Sequence, residues 1–285
     1  MFKKVLIPLD GSELSESLLE PLKRLLGDIE DASVLLLHVT PLGPSGEGAT
    51  PVPAENEALT RVAARLADWP LASETHEVLG DPASAILETV ERLKPDLIAM
   101  ATHGRTGLER LVRGSVAERV LRRVSVPLLL VNPGSKARRE DIAFRRILVP
   151  LDGSPLADGV LPYVITIARS VGAEVTLLRV EPIEPYMADP LSGVPFVEPT
   201  YWNPQSVKET LAPQLDRLLD AGIDAEIEAR IGDAAGEITA LAKDYDLVAF
   251  SSHGRGGVSR WWFGSVAEQV LRVVERPIFM VRGEV

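Results

Sequence analysis

The sequence contains no cysteine. That removes disulfides, thiolate metal ligands and cysteine nucleophiles together. No G-x-x-x-x-G-K-[ST] run occurs, which excludes a Walker nucleotide hydrolase. The first strand-like segment ends in Asp10-Gly11-Ser12 and does not open a G-x-G-x-x-G turn, which argues against a dinucleotide Rossmann site. Neither a G-x-S-x-G elbow nor an H-E-x-x-H metal motif is present. No apolar run approaches the ~18 residues of a membrane helix. The segment from Met1 to Pro8 runs straight into a strand pattern, with no long apolar region or cleavage site. A cytoplasmic protein without a membrane partner is expected. An excess of basic charge is also missing. Lys and Arg total 30 against 41 Asp and Glu, a net charge of -11, and both halves of the chain are acidic. Nucleic acid is therefore not an expected partner.

What the chain does contain is a duplication. His103-Gly104-Arg105-Thr106-Gly107, six further residues and Gly114-Ser115-Val116-Ala117-Glu118 recur as His253-Gly254-Arg255-Gly256-Gly257, six residues and Gly264-Ser265-Val266-Ala267-Glu268. His103–Arg122 and His253–Arg272 share 13 of 20 positions without a gap. Such self-similarity marks a repeated structural unit. The 285 residues, 46% of them hydrophobic, suffice for two domains with their own cores.

Each unit follows one pattern. Residues 3–12 form a short apolar run closed by Asp-Gly-Ser, which reads as a buried strand turning into a helix. Leu14, Leu18, Leu22 and Leu25 recur at helical spacing. Ser33–Val39, Glu74–Leu79, Leu97–Ala101 and Pro127–Val131 read as further strands. Helices are expected over Glu55–Asp68, from Pro82, and from Ser115. Residues 133–144 carry Pro133, Gly134 and a charged run, and read as a linker. Arg145–Ser154 then repeats residues 3–12. The second unit, 145–285, differs by a longer Pro-rich loop, Pro182–Gln205, followed by one helix holding Val207, Leu211, Leu215 and Leu218. Apolar strands alternating with helices predict an α/β fold: two repeated doubly wound domains, each with a five-stranded parallel sheet covered on both faces. Ligands of such sheets sit beyond the carboxyl ends of the strands. Asp10 and Ala101 in the first unit, and Asp152 and Ser251 in the second, fall at that edge.

A glycine-rich turn leading into a helix exposes backbone N–H groups, and the helix start adds partial positive charge, so the pair suits phosphate oxygens. Gly104 and Gly254 would permit the turn, and Gly114 and Gly264 the close approach. Ser115 and Ser265 would donate N–H and hydroxyl, with Arg105 and Arg255 adding charge or facing solvent. The same Ser-Val-Ala-Glu spacing also fits a capping box, which needs no ligand. Asp10 and Asp152 fit a ligand contact or a plain Asp-Gly turn. His103 and His253 have no paired nucleophile or metal partner in the pattern and are expected to be hydrogen-bonding loop residues.

These features together resemble the tandem form of the universal stress protein family, over nearly the whole chain apart from the linker and the long second loop. The family's nucleotide-binding signature is Gly-x2-Gly-x9-Gly-[Ser/Thr]. Gly104-x9-Gly114-Ser115 and Gly254-x9-Gly264-Ser265 fit its second part, while Ala101 and Ser251 stand at the first glycine. The resemblance implies an adenine nucleotide alpha hydrolase-like fold with strand order 3-2-1-4-5. It implies binding of ATP, ADP or AMP, with Mg2+ an option on the phosphates, at most weak hydrolysis, and a role in stress response. In the first domain, 1–132, it places the site at Pro8, Asp10, Val39, Ala101, His103, Gly104, Arg105, Gly114, Ser115 and Val116. In the second, 145–285, it places it at Pro150, Asp152, Val180, Ser251, His253, Gly254, Arg255, Gly264, Ser265 and Val266. It further implies pairing of the domains through strand 5, within the chain or in a homodimer. A simple interaction protein of the same fold is the alternative. Trp261, Trp262 and Phe263 replace Leu111, Val112 and Arg113 in the second copy; they could pack on a ligand, cover the loop or form a domain contact, and the contact is the expectation because exposed aromatics usually mark an interface. The long second loop would act as a lid or remain a surface loop.

Overall fold

Leucine- and valine-rich runs become the strands, and the segments with apolar residues every third or fourth position become the helices between them. The computed structural model describes residues 2–26, 32–41, 57–69, 71–101, 116–132, 144–183, 203–253 and 264–283. The first half runs β1 (Lys4–Leu9), α1 (Glu13–Glu16), α2 (Leu19–Leu26), β2 (Ser33–Thr40), α3 (Glu57–Leu66), β3 (Ala72–Leu79), α4 (Pro82–Leu93), β4 (Leu97–Ala101), α5 (Val116–Leu121) and β5 (Leu128–Val131). The second runs β6 (Arg146–Pro150), a 3-10 turn at Ala157–Val160, α6 (Leu161–Val171), β7 (Glu174–Glu181), α7 (Pro204–Glu209), α8 (Ala212–Asp220), β8 (Ala225–Ile231), α9 (Ala234–Ala242), β9 (Leu247–His253), α10 (Ser265–Val273) and β10 (Ile278–Gly283).

All the strands join one ten-stranded sheet in the order β3-β2-β1-β4-β5-β10-β9-β6-β7-β8. Within each half the order is the expected 3-2-1-4-5, and neighbours are parallel. The halves meet where β5 and β10 pair antiparallel, with Leu129 opposite Phe279. Side chains alternate across the strands, so Val5, Ile7 and Leu9 face one layer of helices and Leu6 the other. One layer contains α2, α3, α6 and α8 through residues such as Leu22, Val62, Val164 and Leu218. The other contains α4, α5, α9 and α10 through Ile86, Val120, Ile238 and Val270. Burial on both faces is what made the inner strands read as continuous apolar runs, whereas the edge strands β3 and β8 are polar and largely open to solvent.

Aromatic packing reinforces the seam. Phe2, just before β1, lies 5.7 Å from Phe279 on β10 and 6.4 Å from Tyr163 on α6, and Tyr163 lies 5.8 Å from Phe279, ring centre to ring centre. Trp261, Trp262 and Phe263, expected at a domain contact, lie outside the described residues, as do the linker residues 133–143 and most of the long second loop.

Two helices expected as single pieces are broken. The helix begun at Leu14 stops at Glu16 and restarts at Leu19. The one expected over Val207–Leu218 is split into α7 and α8 around Thr210 and Leu211. Proline causes both breaks. Pro21 and Pro213 sit in the first turn of the second piece, where a missing N–H costs nothing. A continuous helix would drive their rings into the carbonyls of Ser17 and Glu209.

Candidate functional site

β1 and β6 lie at the points where strand order reverses, flanked by β4 and β9 respectively. A crevice at the carboxyl edge is built into that topology. At the end of each strand an Asp-Gly-Ser turn has the same geometry. Gly11 and Gly153 adopt φ of 78° and 77°, a left-handed conformation that favours glycine. The Asp10 carboxylate accepts the Ser12 N–H at 3.0 Å and the Ser12 hydroxyl at 2.6 Å. The Asp152 carboxylate accepts the Ser154 N–H at 2.9 Å. Ser12 and Ser154 hydroxyls in turn accept the N–H groups of Ser15 and Ala157. Both aspartates therefore do serve the turn, one of the two roles open from sequence.

In the second half these elements enclose a cavity of about 210 Å³. Pro150 and Asp152 from the end of β6, Val180 from β7 and Ser251 from β9 all line it. So do Gly264, Ser265 and Val266 at the start of α10. These are seven of the ten residues expected for the second site. Of the other three, His253 is the last residue of β9, and Gly254 and Arg255 lie outside the described residues. Most of the remaining wall is apolar: Leu178, Ile238, Phe250 and Val270. Sequence reading did not assign these.

The start of α10 departs from the capping-box expectation. Its N-cap is Gly264, at φ −61° and ψ 152°, with no side chain capping the helix. Ser265 is the first helical residue, and Glu268 reaches forward to Arg272 rather than back to the helix start. The reason is the position of the glycine. It already takes the extended N-cap conformation, so the serine is carried one place into the helix. First-turn N–H groups of a helix have no internal acceptors. Here they border the cavity, with the partial positive charge of the helix start.

In the first half, Pro8 and Val39 are the next-to-last residues of β1 and β2, Ala101 ends β4, and Val116 begins α5. Pro8 and Ala101 are half-buried and Val39 is buried. His103, Gly104, Arg105, Gly114 and Ser115 lie outside the described residues. Among the described residues no group of three His, Asp or Glu side chains is placed to hold a metal. No helix among them is long and apolar enough to cross a membrane.

The universal stress protein family model matches residues 1–132 and again 143–282. The chain belongs to the universal stress protein family. A universal stress protein of Methanocaldococcus jannaschii is 36% identical over 148 residues, covering 48% of this chain and 85% of the relative. One of Mycolicibacterium smegmatis is 24% identical over 299 residues, covering 98% of this chain and 96% of the relative. Among solved structures, a universal stress protein from Archaeoglobus fulgidus superposes with a TM-score of 0.63 at 20% identity. It covers 98% of this chain and 96% of that one, a likeness of fold.

The two universal stress protein repeats are not copies at their edges. Asp81 caps α4 by accepting the Ser84 N–H and also binds Arg119 of α5 through two hydrogen bonds of 2.7 Å. Hydrogen bonding to Arg119, then to Ser84, holds the Asp81 carboxyl well below the usual carboxylate range. The same pair raises Arg119. In the second repeat Asp233 caps α9 through the Gly236 N–H at 2.7 Å, but Gln269 stands where the repeat alignment would put an arginine.

Proposed function

We propose that the chain is a tandem universal stress protein that binds an adenine nucleotide, ATP or its ADP and AMP relatives, and acts in stress response or signalling without strong catalysis. On this reading residues 1–132 and 145–285 are the two domains, 133–144 the linker, and the setting is cytoplasmic. The observation that carries it is the cavity at the carboxyl edge of β6 and β9, where Asp152, Ser251 and the uncapped start of α10 meet an apolar wall. A nucleotide needs both surfaces. Its base is flat and largely apolar at the faces, which suits Val180, Ile238 and Phe250. Its phosphates need N–H donors, which the first turn of α10, at Ser265 and Val266, borders the cavity to offer. Mg2+, if used, would be held through the phosphates. Asp152 is the one titratable side chain among the described residues lining the cavity, and general acid–base catalysis calls for a positioned partner. That supports weak hydrolysis at most. The antiparallel β5–β10 seam supports an internal domain pair, to which a homodimer could be added.

The test is direct. Purified protein is denatured, released nucleotide is separated by chromatography, and the refolded or apo protein is titrated with ATP by calorimetry. Nucleotide in the extract or a saturable titration is the expected result; neither together overturns the proposal. The second reading, an interaction protein whose loops only shape the turn, is favoured by one observation: both Asp10 and Asp152 already accept turn N–H groups. Gly104→Val and Gly254→Val separate the two readings. Loss of nucleotide binding with an unchanged melting temperature supports binding. Loss of stability alone supports the structural role.

A further inference from the structure

The Ser251 hydroxyl is buried and has no hydrogen-bond partner among the described residues. A hydroxyl left so is costly, because it has given up water for nothing. Its position suggests what completes it. Ser251 lines the cavity. Its Oγ would lie 3.7 Å from a Cβ placed on Gly159, so it occupies the gap between β9 and the 3-10 turn, whose Ala157 also lines the cavity. The corresponding residue of the first half is Ala101, which has no polar side chain.

The chemistry of the neighbourhood narrows the occupant. β6 and β9 are adjacent, with Leu148 beside Val248. Counting on three residues brings Leu151 level with Ser251, so Ser251 adjoins the strand end that carries Asp152. An ionised carboxylate only accepts hydrogen bonds and repels phosphate oxygens. A ligand atom lodged between Asp152 and Ser251 must therefore donate to one while pairing with the other. A sugar hydroxyl does both, and a phosphoryl oxygen cannot.

We infer that Ser251 is a specificity-determining residue of the second cavity, its Oγ hydrogen-bonding a ribose hydroxyl of the bound nucleotide, a contact the first half lacks. This rests on the nucleotide reading above. It makes the two sites unequal, with the second the more demanding of an intact ribose.

The experiment titrates the full chain with ATP, 2′-deoxy-ATP and 3′-deoxy-ATP by calorimetry, for the wild-type protein and for Ser251→Ala. For ATP, Ser251→Ala is expected to weaken one of the two sites about tenfold, the order of a single hydrogen bond. With one of the deoxynucleotides, wild type and variant should bind alike, because the partner hydroxyl is already gone. The unliganded variant should melt no lower than wild type, since the hydroxyl removed had no partner. Equal ATP affinity in the two proteins overturns the inference, and so does an equal loss with all three nucleotides. If wild type binds none of the three, the nucleotide reading itself has failed, a result seen before any substitution is made.

Discussion

Arg119 grips Asp81 through Nη1 to Oδ1 and Nη2 to Oδ2, fastening α5 to the start of α4. The second repeat keeps the aspartate, Asp233, but has Gln269 in the arginine's place. Arg119→Gln makes the first repeat like the second. The pair is solvent-exposed, with side chains 39% and 47% accessible, so the expected loss is a small drop in melting temperature at neutral pH that shrinks in high salt. The pH dependence has a definite sign. Arg119 lowers the Asp81 carboxyl in the folded state, so its contribution is full above the unfolded value of about 3.9 and declines as pH falls below it toward the depressed folded value. Melting curves of wild type and variant should converge in acid. A constant gap down to strongly acidic pH would contradict the assignment.

The matching cap in the second repeat can be probed by itself. Asp233 accepts the Gly236 N–H, and the position aligned with Arg119 is Gln269. Asp233→Ala is expected to destabilise the protein by about 1 kcal/mol, the usual cost of losing an N-cap. Urea unfolding should show a lower midpoint with an unchanged slope. Asp81→Ala should cost more than Asp233→Ala, because it also releases Arg119.

The fold was largely legible in the sequence because buried parallel strands are nearly uniform apolar runs, as in Val5-Leu6-Ile7 and Ile147-Leu148-Val149. Asp10-Gly11-Ser12 and Asp152-Gly153-Ser154 announced their turns equally well. The helix breaks before Pro21 and Pro213 were hidden by leucine periodicity, although the prolines themselves were the available signal. The helix start at α10 shows a finer limit. Gly-Ser and a Glu three residues after Ser265 satisfy the capping-box spacing, but glycine can itself adopt the N-cap conformation and so shifts the register by one. The cavity's apolar wall was illegible for a different reason. Ile238 and Phe250 come from the consecutive elements α9 and β9, and nothing in their local pattern separates a residue facing a cavity from one packed in the core.

Filling that cavity should abolish one site and spare the other. Val180 is half-buried and lines the cavity, so Val180→Trp places a large ring where a ligand would sit, in space that a core position would not offer. On the nucleotide reading, calorimetric stoichiometry with ATP should fall from two sites to one, with a melting temperature close to wild type. Two sites of unchanged affinity would show that the cavity is not where nucleotide binds.

The seam between the halves makes the strongest stability prediction. Phe279 is fully buried, is opposite Leu129 across the β5–β10 pair and packs on both Phe2 and Tyr163. Phe279→Ala is expected to cost about 3–5 kcal/mol, the range for truncating a buried aromatic side chain. Phe2→Ala removes the partner ring from the other half. Because the two rings touch, the double variant should be less destabilised than the sum of the singles, by about 0.5–1.5 kcal/mol. The seam also joins two units that each have strands and helices of their own. Wild type should therefore unfold in one transition, and Phe279→Ala should broaden it or split it in two as the halves uncouple. Calorimetric scans of the four proteins check both expectations. Strict additivity would show that the rings do not act across the seam.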